Sequence, residues 1–257
     1  MTVGVSRDLT ARLRAAGCVF AEEEAELLLE AAPDAIGLDA LVARRAAGEP
    51  LEYILGWAEF CGLRIRVEPR VFVPRRRTEF LVGLATALAA EAEHPRVVDL
   101  CCGSGAIGAA LTDRVRSIDL YATDIDPDAV RCARSNISGQ AFQGDLYDAL
   151  PRGLRGTVDL IVANAPYVPT EHIDTMPREA RLHEARASLD GGRDGLDLHR
   201  RIAQEASAWL RPGGRLLIET SEGQADRTAE IVARAGLHAT LEHSDAFDAT
   251  VVTGMLH

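Results

Sequence analysis

Residues 96–111 read RVVDLCCGSGAIGAAL. Val97, Val98 and Leu100 form a short apolar run interrupted only by Asp99, a glycine-bearing loop follows, and an alanine-rich stretch with helical character closes the segment. A strand that ends in glycines and turns directly into a helix is the phosphate- or nucleotide-binding unit of an open α/β sheet. Gly103 and Gly105 carry no Cβ, so the backbone there can turn tightly and approach a ligand closely. Gly103, Gly105 and Gly108 also fit G-x-G-x-x-G, so the loop alone does not name its ligand, and an ordinary βα turn would read in the same way.

Downstream, residues 118–123 (IDLYAT) predict a buried strand ending at Asp124. An acid about twenty residues past the glycines can accept hydrogen bonds from ribose hydroxyls. Asp126-Pro127-Asp128 then opens a helix, with Asp126 as N-cap and Pro127 at the first helical position. Residues 141–143 predict a short strand running into Gly144-Asp145-Leu146. Asp145 is either a plain loop acid or the partner of an adenine amino group, with Leu146 packed on the ring.

Residues 159–169 (DLIVANAPYVP) are the second organising stretch. Leu160, Ile161 and Val162 predict a buried central strand, which places Asn164-Ala165-Pro166-Tyr167 at its carboxyl end, where open α/β sheets bind ligands. Pro166 fixes its own φ and pushes Ala165 towards extended backbone. The turn would then present the Asn164 side-chain amide, the Ala165 carbonyl and the Tyr167 ring together. A turn-forming asparagine followed by a core tyrosine is the alternative reading.

Beyond this turn, residues 170–187 are polar and irregular and predict a long loop beside the crevice. Residues 190–195 (DGGRDG) are turn chemistry. Residues 196–210 predict an amphipathic helix stopped by Arg211-Pro212-Gly213-Gly214. A strand over 215–220, a helix over 224–235 and an antiparallel pair, 238–243 with 249–255, complete the series at one edge of the sheet.

Upstream, residues 8–47 are rich in Ala, Leu, Glu and Arg, and Pro33 and Gly37 divide them into three short helices. No residue there is placed for chemistry, and the segment reads as a substrate-recognition module. Residues 48–74 change character: Leu63, Ile65 and Val67 alternate after Tyr53, Trp57 and Phe60, which predicts a β-hairpin. VPRRRTE (73–79) leads into a helix over 80–92, with Thr78 as its N-cap and Glu79 in its first turn. The three arginines read as a solvated face, or, more sharply, Arg75 and Thr78 face the ligand pocket.

The 257 residues, 47% of them hydrophobic, suffice for one large domain or for one plus a small one. A formal charge of −11 disfavours a broad nucleic-acid surface. Five cysteines without metal-type spacing suit a reducing cytosol better than a disulfide framework. No zinc pattern is found among the seven histidines, so no metal is expected. No apolar run is long enough to span a membrane, and MTVGVSRDLT lacks a signal-peptide core.

The motifs together resemble the S-adenosylmethionine-dependent methyltransferases. More narrowly, the chain is similar to the protein-glutamine methyltransferases that modify class-1 peptide chain release factors. GEPLEYILGWAEFCGL (48–63), VPRRRTE, DLCCGSGAIG (99–108), DIDPDAV (124–130), GDLYDAL (144–150), NAPYVP (164–169), LDGGRDGLDLHRRI (189–202) and LRPGGRLLIETSEGQ (210–224) carry the resemblance. It implies a doubly wound, Rossmann-like class I fold over 75–257, a hairpin linker over 51–74 and a small N-terminal helical domain over 1–50.

It also implies S-adenosylmethionine as cofactor, leaving as S-adenosylhomocysteine. The cofactor set would be Arg75, Thr78, Asp99, Cys101, Cys102, Gly103, Ser104, Gly105, Asp124, Ile125, Asp145, Leu146 and Asn164. The target amide would be bound by Asn164, Ala165, Pro166 and Tyr167, with Asn164 and Tyr167 catalytic. The substrate implied is the GGQ glutamine of a release factor, modified in the cytoplasm by a monomer that needs neither membrane nor nucleic acid.

Three departures stand out. The family has N-P-P-Y where this chain has Asn164-Ala165-Pro166-Tyr167. Cys101-Cys102 stand where Gly and a hydroxyl residue are usual, and Glu184-Ala185 replaces a Glu-Pro pair. Transfer to an exocyclic amine of nucleic acid or to a small molecule, nicotinamide-dependent oxidoreduction, and a binding protein that has lost activity are the competing readings.

Overall fold

The computed structural model describes residues 2–257, with side chains from Asp8 onward. Helices α1 (Thr2–Ala15), α2 (Ala21–Ala31) and α3 (Ala35–Ala46) enclose a cluster of their own, in which Leu13, Ala21, Ala25, Leu28 and Val42 are fully buried. Asp34 caps α3, its side chain accepting the Gly37 N–H at 2.7 Å. A short helix not foreseen in the sequence, α4 (Leu51–Leu55), ends at left-handed Gly56. The expected hairpin follows as β1 (Trp57–Phe60) and β2 (Leu63–Arg66). Its two-residue turn, Cys61-Gly62, has positive φ at both positions, the turn geometry that matches strand twist.

The remainder alternates strand and helix: α5 (Thr78–Ala89), β3 (Arg96–Leu100), α6 (Ala106–Arg114), β4 (Asp119–Asp124), α7 (Pro127–Asn136), β5 (Gln140–Gln143), β6 (Val158–Ala163), α8 (Arg178–His183), α9 (Asp197–Trp209), β7 (Leu210–Thr220), α10 (Ala225–Arg234), β8 (His238–Ser244) and β9 (Ala249–Met255). One seven-stranded sheet runs β5-β4-β3-β6-β7-β9-β8, parallel through β7 and antiparallel over the last two. This is the expected doubly wound, Rossmann-like architecture. Its central strands β3, β6 and β7 are covered on both faces, which is why they read as near-continuous apolar runs. In β3, Val98 and Leu100 face the layer that includes α9, and Val97 faces the layer that includes α5 and α6.

The chain leaves β3 towards β4 and β5, then returns to place β6 on the other side of β3. The crevice at a reversal of this kind lies at the carboxyl ends of the two adjoining strands. Leu100 and Ala163 are register partners there, so the loop after β3 and the turn after β6 emerge side by side.

Three sequence expectations need correction. Thr78 does not cap α5. The residue before the helix, Arg77, is already αR, and the carbonyls of Arg75, Arg76 and Arg77 take the N–H groups of Thr78, Glu79 and Phe80. The Arg-Pro-Gly-Gly segment does not separate a helix from a later strand. α9 stops at Trp209 and β7 begins at Leu210, because Gly213 and Gly214 bond to Leu256 and carry the ladder through a register shift. Residues 170–187 are not one irregular loop, since α8 and two short 3₁₀ turns order them. Among the described residues, no helix is long and apolar enough to cross a membrane.

Candidate active site

The loop after β3 turns through three left-handed residues: Cys101 (φ 57°), Gly103 (φ 54°) and Gly105 (φ 77°). At Gly105 a Cβ would lie 3.1 Å from Ala133 Cα, a tight contact added to the unfavourable dihedral. Cys101 holds a conformation that disfavours any side chain, at a cost of about 1 kcal/mol. Asp99 lies beneath the loop, fully buried. Its Oδ2 accepts the Gly108 N–H at 3.2 Å, its Oδ1 has no partner, and burial pushes the carboxyl up to about 7.

Asp124 ends β4 beside this loop. Its Oδ2 accepts the Gly103 N–H and its Oδ1 the Asp126 N–H, each at 2.9 Å. Burial raises its pKa, and the N–H groups of Asp126 and Gly103 draw it back down. Asp126 caps α7 through the Asp128 N–H, with Pro127 in the first turn, as the sequence indicated.

A cavity of about 1090 Å³ opens over these elements. Cys101, Gly103, Asp124, Ile125, Asp145 and Leu146 line one end, and Arg75, Asn164, Ala165, Pro166 and Tyr167 the other. Ile125 is 59% exposed, an apolar surface offered to the cavity. Asp145 is paired with Arg201 at 2.9 Å. Cys102, Ser104 and Thr78 line a small adjoining space of about 30 Å³, which shares Gly103 and Asn164 with the main cavity. Asp99 and Gly105 line neither, so their contribution is to the shape of the loop.

At the other end, β6 delivers the Asn-Ala-Pro-Tyr turn. Asn164 Nδ2 donates to the Oγ1 of Thr78, buried at the start of α5, at 3.0 Å. The turn is braced from outside. Gln224 Nε2 donates to the Tyr167 carbonyl at 3.0 Å and to the Asp194 carbonyl at 3.1 Å. Gly191 packs so closely that a Cβ there would lie 2.7 Å from the Pro166 oxygen and 2.8 Å from Tyr167 Cα. Burial pushes the Tyr167 hydroxyl up to about 12. Arg75 reaches the cavity wall, but its guanidinium is ion-paired with the buried Glu184 and lies over the Phe72 ring.

Sequence reading missed two groups here. Glu219, one residue from the end of β7, is 1% exposed and lines the cavity behind the turn. Gln224, in the short turn between β7 and α10, ties the Asn-Ala-Pro-Tyr turn through the Tyr167 carbonyl. The signal for Glu219 was present as a lone carboxylate closing the apolar run Leu216-Leu217-Ile218.

The model of the Methyltransferase small domain family matches residues 65–194. The release factor glutamine methyltransferase of Geobacter sulfurreducens is 41% identical over 201 residues, covering 76% of this chain and 69% of the relative. That of Bradyrhizobium diazoefficiens is 38% identical over 258 residues, covering 90% and 86%. The chain belongs to the release factor glutamine methyltransferase family. The fold is shared more widely: a methyltransferase crystal structure from Pyrococcus furiosus aligns with a TM-score of 0.57 at 17% identity, covering 76% of this chain and 89% of that one.

S-adenosylmethionine is the methyl donor of this family, and the β3–β4 end of the cavity fits it. Each Asp124 oxygen accepts one backbone N–H and would have a second acceptor position for a ribose hydroxyl. Gly103, Ile125 and Leu146 line the same cavity, where Gly103 would leave room for the amino-acid moiety and the two apolar side chains would wall a flat ring.

Proposed function

We propose that the chain methylates the side-chain amide nitrogen of a glutamine in a protein, the GGQ glutamine of a peptide chain release factor. The observation that carries this reading is the Asn164–Thr78 hydrogen bond. With Nδ2 on Thr78, Oδ1 is the amide atom left for a substrate, and Asn164 and Ala165 both line the cavity.

A glutamine amide nitrogen is a poor nucleophile, because its lone pair is delocalised into the carbonyl. S-adenosylmethionine supplies a methyl group already activated on a sulfonium. What remains for the protein is orientation. Asn164 Oδ1 and the Ala165 carbonyl would accept the two N–H bonds of the target, turning its lone pair towards the donor. Tyr167 would wall the amide plane. Such positioning is worth up to about 7–11 kcal/mol in ideal systems. No strong base is needed, since the methylated nitrogen is strongly acidic and gives its extra proton to water. Replacing the family's proline by Ala165 preserves the carbonyl on which this depends.

The cavity continues outward past Phe20 and Leu27 of the helical segment and past Met176. This supports a role for residues 1–50 in holding the substrate protein. A translation factor as substrate places the reaction in the cytoplasm. The net charge of −11 argues against a nucleic-acid target.

Incubation with methyl-labelled S-adenosylmethionine and a release factor, followed by peptide mass spectrometry, tests the reading. The label is expected on the GGQ glutamine. Label on no amide of the factor would overturn it.

A further inference from the structure

We propose that Arg45 is a positioning residue for target recognition: it ties the helical segment to α8 at the outer mouth of the cavity, and so holds in place the two walls that grip the substrate protein around its target glutamine. The proposal rests on the reading of a protein glutamine as acceptor. It adds a residue outside the Asn164 turn, to which that reading gives no task.

Sequence spacing builds the two walls. Phe20, Glu24 and Leu27 stand four and three residues apart, so they share one side of α2, and all three line the cavity. Phe20 is 66% exposed. The other wall is made by Met176 and Pro177, which lead into α8, with Glu179 in its first turn. Each wall thus combines apolar side chains with a carboxylate.

Arg45, near the end of α3, joins the two carboxylates. Its Nε and Nη2 donate to Glu24 at 2.6 and 3.1 Å, a bidentate fork. Its Nη1 donates to Glu179 Oε1 at 3.1 Å and to the Glu49 carbonyl at 3.0 Å. The side chains of Arg45 and Glu24 are 12% and 10% exposed. A planar guanidinium held by two of its nitrogens fixes where the third one points, and here it points to α8. Among the described residues, this is the only ion pair between the helical segment and the rest of the chain.

Glu179 is 43% exposed, so its pair with Arg45 adds little to the stability of the fold. What it supplies is placement. A helix of six residues does not hold its own position. The far end of α8 is tied to the chain before α5, where the Ala185 N–H donates to the Arg70 carbonyl at 3.1 Å. Arg45 ties its start to the helical segment. Without that link each wall keeps its side chains, but a protein substrate must order one wall against the other as it binds. A short peptide engages the Asn164 end alone and does not draw on the mouth.

The test compares wild type, Glu179→Ala, Glu179→Gln, Arg45→Met and the double variant Arg45→Met with Glu179→Ala. Each is assayed on an intact release factor and on a short GGQ peptide. Glu179→Ala should raise KM for the release factor about ten-fold, with kcat, peptide kinetics and S-adenosylmethionine affinity unchanged. Glu179→Gln keeps an acceptor for Arg45 and should recover most of the loss. The double variant should be no worse than Arg45→Met alone, since both changes break one link. Amide hydrogen exchange over residues 178–183 should be faster in Glu179→Ala than in the wild type.

A wild-type KM for the release factor in Glu179→Ala would overturn the proposal, as would an equal loss on the peptide or additive losses in the double variant. Unchanged exchange over residues 178–183 would also overturn it, a measurement that needs no substrate and stands even if Arg45→Met does not fold. If the wild type methylates neither acceptor, the glutamine reading falls, while the exchange data still judge the link between α3 and α8.

Discussion

The Asp124 carboxylate accepts the Gly103 N–H at 2.9 Å, tying the tip of β4 to the loop after β3. One group thus shapes the loop and would also hold a ribose. Asp124→Ala is expected to weaken S-adenosylmethionine binding by about 1.5–3 kcal/mol, the range for hydrogen bonds to a charged group. Titration calorimetry measures it, and an unchanged affinity would remove Asp124 from the cofactor site.

Gly191 supports the turn from behind. A methyl group there meets the Pro166 oxygen and Tyr167 Cα, backbone atoms that cannot rotate away. Gly191→Ala should lower stability by about 1–3 kcal/mol, as overpacking does. Methylation should fall by more than this accounts for, with cofactor affinity preserved. Parallel melting curves, calorimetry and turnover separate the three.

Cys101 holds φ 57° without being glycine. A β-branched residue fits that region worse still, so Cys101→Val should cost a further 1–2 kcal/mol or so, about 3–6 °C in Tm for a chain of this size. Cys101→Gly removes the dihedral strain, and the greater freedom of its unfolded chain offsets part of the gain. It should melt close to the wild type. Differential scanning calorimetry distinguishes the two variants.

Asp99 titrates near 7 when folded and near 4 when unfolded. Between those values the folded protein keeps a proton that the unfolded chain has lost. The stabilisation this provides is complete below about 4 and disappears as pH rises through 7. His199, buried and held down to about 4, contributes with the opposite sign: its stabilisation is present above about 6.5 and is lost in acid. A difference measurement isolates Asp99. The Tm of Asp99→Asn relative to wild type should rise steadily from pH 4 to pH 8, and a constant difference would contradict the assignment.

What the sequence made legible were features that local chemistry fixes. Asp126-Pro127 announced a helix start, the glycines announced a turn, and Asn164–Tyr167 stood out because a proline-fixed polar turn followed an apolar strand. Glu219 showed as a lone carboxylate after an apolar run, but what it and Gln224 touch depends on which strand lies beside which. Only the pairing of β6 with β7 carries Glu219 to Asn164. Thr78 was misread for a related reason. Its residue type suits a cap, but the preceding arginine turn had already supplied the carbonyls, and the hydroxyl was left for a partner 86 positions away. The left-handed backbone of Cys101 was signalled only by the glycine that the family carries at this place.

The pairing of β3 with β6 has a consequence for how such a protein can diversify. The loop that would carry the donor and the turn that would grip the acceptor grow from adjacent strands of one hydrogen-bonded sheet, with Leu100 opposite Ala163. The spacing between them is inherited from the ladder, and no part of it passes through the helical segment or the α8 region. Alignment of the two site elements is therefore mechanically uncoupled from those outer segments. An outer surface can be exchanged for another without recalibrating the chemistry beneath it.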